Sequence, residues 1–262
     1  MNPILPWGQP PLLGVPLCYS PFQGSALLDA TTPQPAVVSG GIGLLLANNA
    51  TDIQIAGILG GTPGQLITIV SIGAGNVFLV HQSGLAAVGD RLINYATSAD
   101  TPLAAGVGTA TYRYDGASSR WRLVAHEQGA PITPAFNAAD YTANGGGGAW
   151  TLTAPDVITA SYLLRGRQVW VNVFLVTTTI VGAVNTLLQR TVPGGFTIGA
   201  SVIGAMGSYV DGGGVVIAGG YVDASAGAQL IRFGRSDPAL GVNWTAGVNL
   251  ARVSTDIVFP VT

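Results

Sequence analysis

Residues 111–124 read Thr111-Tyr112-Arg113-Tyr114-Asp115-Gly116-Ala117-Ser118-Ser119-Arg120-Trp121-Arg122-Leu123-Val124. Tyr112 and Tyr114 share one parity, Thr111 and Arg113 the other. Past the Asp115-Gly116 turn signal, Trp121 and Leu123 alternate with Arg120 and Arg122. Alternation of period two on both sides of a turn predicts a β-hairpin. Upstream, Gly64-Gln65-Leu66-Ile67-Thr68-Ile69-Val70 opens a series of short β-branched and aromatic runs. Strands are predicted near 36–46, 52–58, 65–70, 76–81, 90–95, 107–114 and 119–125. Turn signals separate them at Asn48-Asn49, Gly60 to Gly64, Gly73-Ala74-Gly75-Asn76, Gly84, Gly89-Asp90 and Thr101-Pro102. The pattern reads as successive hairpins in a sandwich or barrel-like domain. No strict repeat of fixed period is visible.

Composition points the same way. Charged residues make up 8% of the 262-residue chain, against about 25% in ordinary soluble domains. Lys is absent and Glu127 is the only Glu, whereas Gly numbers 38. Without polar helix formers, long solvent-facing helices are hard to build, so the expected class is all-β. So few charges suit a chain whose surface is covered by copies of itself or by a larger assembly. A membrane span is the competing explanation. The uncharged stretch between Arg167 and Arg190 does not support it. There Val169, Val171, Val173 and Leu175 alternate with Gln168, Trp170, Asn172 and Phe174, which is strand periodicity rather than a spanning helix. The second uncharged stretch, 191–210, is broken by Pro193 and five glycines. Membrane insertion is therefore not expected. The net charge is −2 and the ten basic residues are scattered arginines, so nucleic-acid binding is not expected either. Cys18 stands alone and supports no disulfide within the chain. The Pro-interrupted N-terminus has no basic segment and does not fit a signal peptide, which predicts assembly in the cytoplasm.

Four segments emerge. Residues 1–28 carry no charge and six prolines, with Trp7, Leu12, Leu13, Val15, Tyr19 and Phe22 as apolar groups. An extended, polyproline-biased arm is predicted. Two roles stay open for it: wrapping its own domain or a neighbouring copy, or anchoring the protein to a larger particle. Residues 29–128 form the β-rich body, entered through a short Thr/Pro linker. Residues 129–148, with Pro131, Pro134 and Gly145 to Gly148, read as a Gly/Pro-rich linker. Residues 149–262 return to strand patterns in a C-terminal β-sandwich.

Catalytic signatures are weak. His81 and His126 have no second ligand at metal-site spacing. Asp140 and Asp156 are separated by flexible sequence and spacing singles out no carboxylate pair, and Asp211-Gly212-Gly213-Gly214 reads as a turn rather than a calcium loop. No nucleophile elbow or P-loop occurs. An enzyme, a metal site and a cofactor are not expected. Candidate binding residues are aromatic: Trp150, Trp170, Tyr209, Tyr221 and Trp244. Trp170 fits a buried strand position. Tyr209 with Asp211, and Trp244 with Asn243, pair a flat ring with polar acceptors in the manner of a glycan site.

The order GQLITIV…NVFLVHQ…GDRLINY…TPLAAGVGTATYRYD…SRWRLV, over about residues 36–128, resembles a β-domain of fibre and spike proteins of tailed bacteriophages and related particles. The order AWTLTAPDV…YLLRGRQVWVNVFLVTTTI…VPGG resembles the C-terminal jelly-roll-like sandwich of phage fibre and structural proteins. The resemblance implies a homotrimeric fibre or spike subunit on the virion surface. Its N-terminal arm (Trp7, Leu12, Leu13, Tyr19, Phe22) would dock on a capsid, portal-proximal or tail and baseplate protein. Its C-terminal domain would bind a host cell-surface glycan through Tyr209, Asp211, Asn243 and Trp244. A capsid decoration protein without receptor binding and a polysaccharide-cleaving tail spike are the alternatives.

Overall fold

The computed structural model describes residues 42–95, 99–144, 148–182, 187–211, 220–235 and 244–262. The expected anchor residues Trp7, Leu12, Leu13, Tyr19 and Phe22 lie outside the described residues, as does Asn243. The chain is all-β, with four sheets among the described residues.

The body contains β1 (Ile42–Ala47), β2 (Ile53–Ile55), β3 (Leu66–Ser71), β4 (Val77–Leu79), β5 (Leu92–Ile93), β6 (Thr101–Leu103), β7 (Thr109–Asp115) and β8 (Arg120–Glu127). One sheet runs β1-β3-β7-β8-β5 and a smaller one β2-β4-β6. The expected hairpin is present as β7–β8, with Tyr112 opposite Leu123 and Tyr114 opposite Trp121. Its loop is longer than the two-residue turn read from the sequence, running from Gly116 to Ser119. Asp115 holds that loop by accepting from Ala117 N at 3.0 Å, Ser118 Oγ at 2.7 Å and Arg122 Nε at 2.7 Å. These bonds hold its carboxyl well below the usual carboxylate range, the Ser118 hydroxyl contributing most. On the inner face Tyr112 and Trp121 are fully buried. The Tyr112 hydroxyl donates to Asn94 Oδ1 at 2.6 Å, and Trp121 Nε1 donates to Ile58 O at 2.9 Å. Each ring thus buries apolar surface without leaving its polar atom unmatched.

The rest of the body is not a run of hairpins. β1 lies parallel to β3, β2 parallel to β4, and β5 parallel to β8. Ile42 lies beside Leu66 and Ile53 beside Val77, a shift of 24 residues in both pairs. Residues 42–55 and 66–79 are therefore two successive coils, one laid on the other. Their corners stack directly: Gly73 N donates to Ala47 O at 3.1 Å, Gly75 N to Asn49 O at 3.0 Å, and Ile53 N to Asn76 O at 3.0 Å. The Gly73-Ala74-Gly75 segment, read as a hairpin turn, is a corner in which only the lack of a Cβ at Gly73 and Gly75 allows this approach.

The second unit is a sandwich of two antiparallel five-stranded sheets. One holds β12 (Gln168–Val181), flanked on one side by β10 (Ala149–Thr151) and β11 (Val157–Arg165), and on the other by β18 (Gly247–Pro260) and then β15 (Ser208–Val210). The other runs β14 (Val202–Ala205), β16 (Tyr221–Ala224), β17 (Leu230–Gly234), β13 (Leu187–Thr191), β9 (Tyr141–Ala143). Val169, Val171, Val173 and Leu175 face inward, as their alternation predicts, and meet Leu188, Val222, Ile231 and Phe233 in one core. After β12 the chain crosses to the second sheet for β13 and β14, returns for β15, crosses again for β16 and β17, and returns for β18. Such repeated crossing suits a two-sheet sandwich.

The described part of the expected linker is packed rather than free. Ile132 exchanges two 2.9 Å backbone hydrogen bonds with Tyr162, and Tyr141 belongs to the sandwich core. Gln128 is fully buried; its Nε2 donates to Ala130 O and Tyr162 O, and its Oε1 accepts from Leu164 N at 2.7 Å. One side chain therefore ties the end of β8 to the exposed edge of β11. Covering a strand edge in this way also blocks edge-to-edge association. No helix among the described residues is long and apolar enough to cross a membrane.

Candidate functional site

The structure brings Tyr209, Asp211 and Trp244 together, but inside the protein. Tyr209 is fully buried and Trp244 is 2% exposed. Their rings meet edge to face, with centroids 5.5 Å apart. Trp244 Nε1 donates to Phe233 O at 3.3 Å. Asp211 accepts from Thr245 N at 2.7 Å and Thr245 Oγ1 at 2.8 Å, and pairs with the Arg235 guanidinium. Neither ring presents a face to a sugar, and both Asp211 oxygens already hold internal donors. The glycan reading of Tyr209, Asp211 and Trp244 is corrected accordingly. These residues fasten the Thr245 segment onto the sandwich, and aromatic edge-to-face packing is the reason they lie inward.

Other candidates resolve in the same way. Trp150 is buried and donates to Thr178 Oγ1 at 2.8 Å. Asp156 accepts from Thr153 N, Thr153 Oγ1 and Thr177 Oγ1 at 2.7–2.8 Å. These bonds cap the Ala154–Asp156 turn and tie it to Thr177 of β12. Burial pulls the imidazoles of both His81 and His126 below the usual histidine value. Among the described residues no group of three His, Cys, Asp or Glu side chains gathers as a metal site.

Trp170 is the opposite case. The sequence reading favours a buried ring, yet it is 47% exposed. The register of β12 explains this. Val169 and Val171 point into the core, so Trp170 and Asn172 between them point out. Across three strands, Leu163, Trp170 and Val258 form one outward row, and Ser161, Asn172 and Asp256 the next. Asn172 Nδ2 donates to Asp256 Oδ1 at 2.6 Å. The Arg165 guanidinium carbon lies 5.9 Å from the centre of the indole, within cation–π range. These rows line a shallow groove of about 410 Å³, closed on one side by Pro131.

The groove offers a large flat apolar face beside a fixed amide–carboxylate pair and a serine. That combination suits a ligand with an apolar ring face and hydroxyl edges. Asp256 is the carboxylate that lines the groove. The signal for this site was present in the sequence: Trp170 shares parity with Gln168 and Asn172, not with the valines. Comparison with protein-family models and with curated proteins returns no match, so the resemblance to phage fibre proteins rests on this chain's own residues.

Proposed function

We propose that this chain is a virion structural protein, a homotrimeric fibre or spike subunit of a tailed phage or phage-like particle. In this reading residues 1–28 attach it to the head or tail, and the C-terminal sandwich binds a host-surface glycan. The exposed Trp170 ring beside the Asn172–Asp256 pair carries the binding part of the proposal. Low charge supports self-association. So do large apolar side chains left on the surface of the single chain, such as Ile203 at 77% and Val248 at 70% exposure. Light scattering of the whole protein should give about three times the 26.5 kDa chain mass. A stable monomer at micromolar concentration contradicts the trimer.

The binding test is Trp170→Ala. A single sugar on an open groove binds near millimolar, about −4 kcal/mol, and many linked copies raise avidity by roughly 10²–10⁴. Removing the indole should weaken monovalent glycan binding by about tenfold, ~1.4 kcal/mol, and abolish most particle adsorption. Because the ring is half exposed, the melting temperature should move by only a few degrees. Adsorption equal to wild type rules the groove out as the receptor site.

A further inference from the structure

A second site lies between the two sheets of the C-terminal sandwich, lined by Tyr141 and Arg190 from one sheet and by Val157 and Ala160 of β11 from the other. Arg190 in β13 has the parity of Leu188, so its side chain turns inward and is only 2% exposed. Its Nη2 donates to Ala160 O at 3.5 Å, the outer limit for such a bond. Its guanidinium carbon lies 5.6 Å over the Tyr141 ring. Among the described residues, Nε and Nη1 have no acceptor in good hydrogen-bonding geometry, while the Tyr141 hydroxyl interacts with the guanidinium. Buried guanidinium groups are ordinarily matched by acceptors, because an unmatched donor keeps the full cost of leaving water.

Arg190 lines a cavity of about 160 Å³, together with Tyr141, Phe136, Pro134, Asn137 and Asp140. The Phe136 and Tyr141 rings lie nearly parallel with centroids 6.2 Å apart, and Phe136 is 39% exposed, which makes it the outer wall. Asp140 is the one acid among the lining residues. It forms no ion pair with Arg190; Asn137 Nδ2 lies 3.5 Å from its Oδ1. Burial pulls the Arg190 guanidinium below its usual value, while Tyr141 and Asp140 push it back up. The cavity thus presents one buried planar cation, one acid and an aromatic wall.

We propose that this cavity binds a carboxylate, with one oxygen on the unmatched Nη1–H of Arg190 and the other on the second N–H of Nη2, the pair that forms the guanidinium's end-on fork. The volume admits a small acid or one acidic sugar ring. A planar fork favours two coplanar oxygens, and the nearby Asp140 disfavours a doubly charged phosphate or sulfate. Asp140 and Asn137 are placed to receive hydroxyl groups of the same ligand. None of these residues belongs to the Trp170 groove, so this site stands or falls independently of it.

The test titrates the whole protein with acetate, glucuronate, glucose and inorganic phosphate, reading the Arg190 Nε–H resonance and binding heat. Saturable binding of glucuronate is expected, with acetate competing and glucose at least about tenfold weaker. Acetate binding without glucuronate would identify the source as a free small acid and still support the site. Arg190→Lys keeps a positive charge but loses the fork and should weaken glucuronate at least about tenfold. Phe136→Ala, at the exposed wall, tests the same cavity without disturbing a buried charge and should weaken glucuronate several-fold. The proposal is overturned if neither carboxylate binds, if glucose or phosphate binds as well as glucuronate, or if both variants bind glucuronate like wild type.

Discussion

Gly75→Ala is expected to lower the melting temperature of the body by about 12–24 °C, a loss of about 3 kcal/mol or more. A Cβ at Gly75 would stand 2.1 Å from the carbonyl carbon and oxygen of Thr51, and 2.7 Å from Asn49 Nδ2. At Gly73 it would stand 2.2 Å from both N and O of Asn49. These neighbours are mostly backbone, so no side-chain rotation relieves the overlap. The two coils would have to separate, breaking the bonds from Gly73 N to Ala47 O and from Gly75 N to Asn49 O. Asn49 is itself buried, with its Nδ2 donating to Thr51 O at 2.7 Å, so its local turn would be lost as well. Gly84 provides the control: a Cβ there meets nothing within 4 Å and its φ is not positive, so Gly84→Ala should stay within about 0.5 kcal/mol. If Gly75→Ala melts with wild type in thermal denaturation, the corners do not stack as described.

That stacking shows where sequence reading stops. The β7–β8 hairpin was legible because both strands and their turn are adjacent, so alternation and the Asp115-Gly116 signal agree within one short window. The same punctuation at Gly73-Ala74-Gly75 also reads as a hairpin, since glycine marks sharp turns and close backbone approach alike. What separates the two is a partner 24 residues earlier. Stacked positions pair Leu45 with Ile69 and Ala47 with Ser71, which match in burial rather than in identity. No strict repeat results.

The candidate sites follow the same logic. Trp170 and Arg190 occupy positions fixed by strand parity, the first outward with Asn172 and the second inward with Leu188. Parity alone gives both orientations, but chemical expectation runs against it: an indole is expected inside and a guanidinium outside. For Tyr209 and Trp244 the misleading cue was their polar company. Asp211 and Thr245 are polar because they bond each other, so they say little about the exposure of the rings beside them.

Asp211→Ala provides the sharpest separation between these roles. The Asp211 and Arg235 side chains are 5% and 12% exposed, so removing the carboxylate withdraws the counter-charge from a guanidinium already out of water. It also strips the acceptor from Thr245 N and Oγ1. Breaking a buried pair from one side costs about 3–5 kcal/mol, or ~10–20 °C of melting temperature for a unit of this size. With the Thr245 segment released, the Tyr209–Trp244 contact should loosen, so Trp244 fluorescence should shift red and near-ultraviolet circular dichroism should weaken. Asp256→Ala removes a carboxylate of the same type from the exposed Trp170 groove and should leave stability nearly unchanged while weakening glycan binding. The two variants therefore exchange their effects if the assignment is wrong. An Asp211→Ala protein that melts like wild type yet fails to adsorb to host cells would return the receptor site to the Tyr209–Trp244 loops.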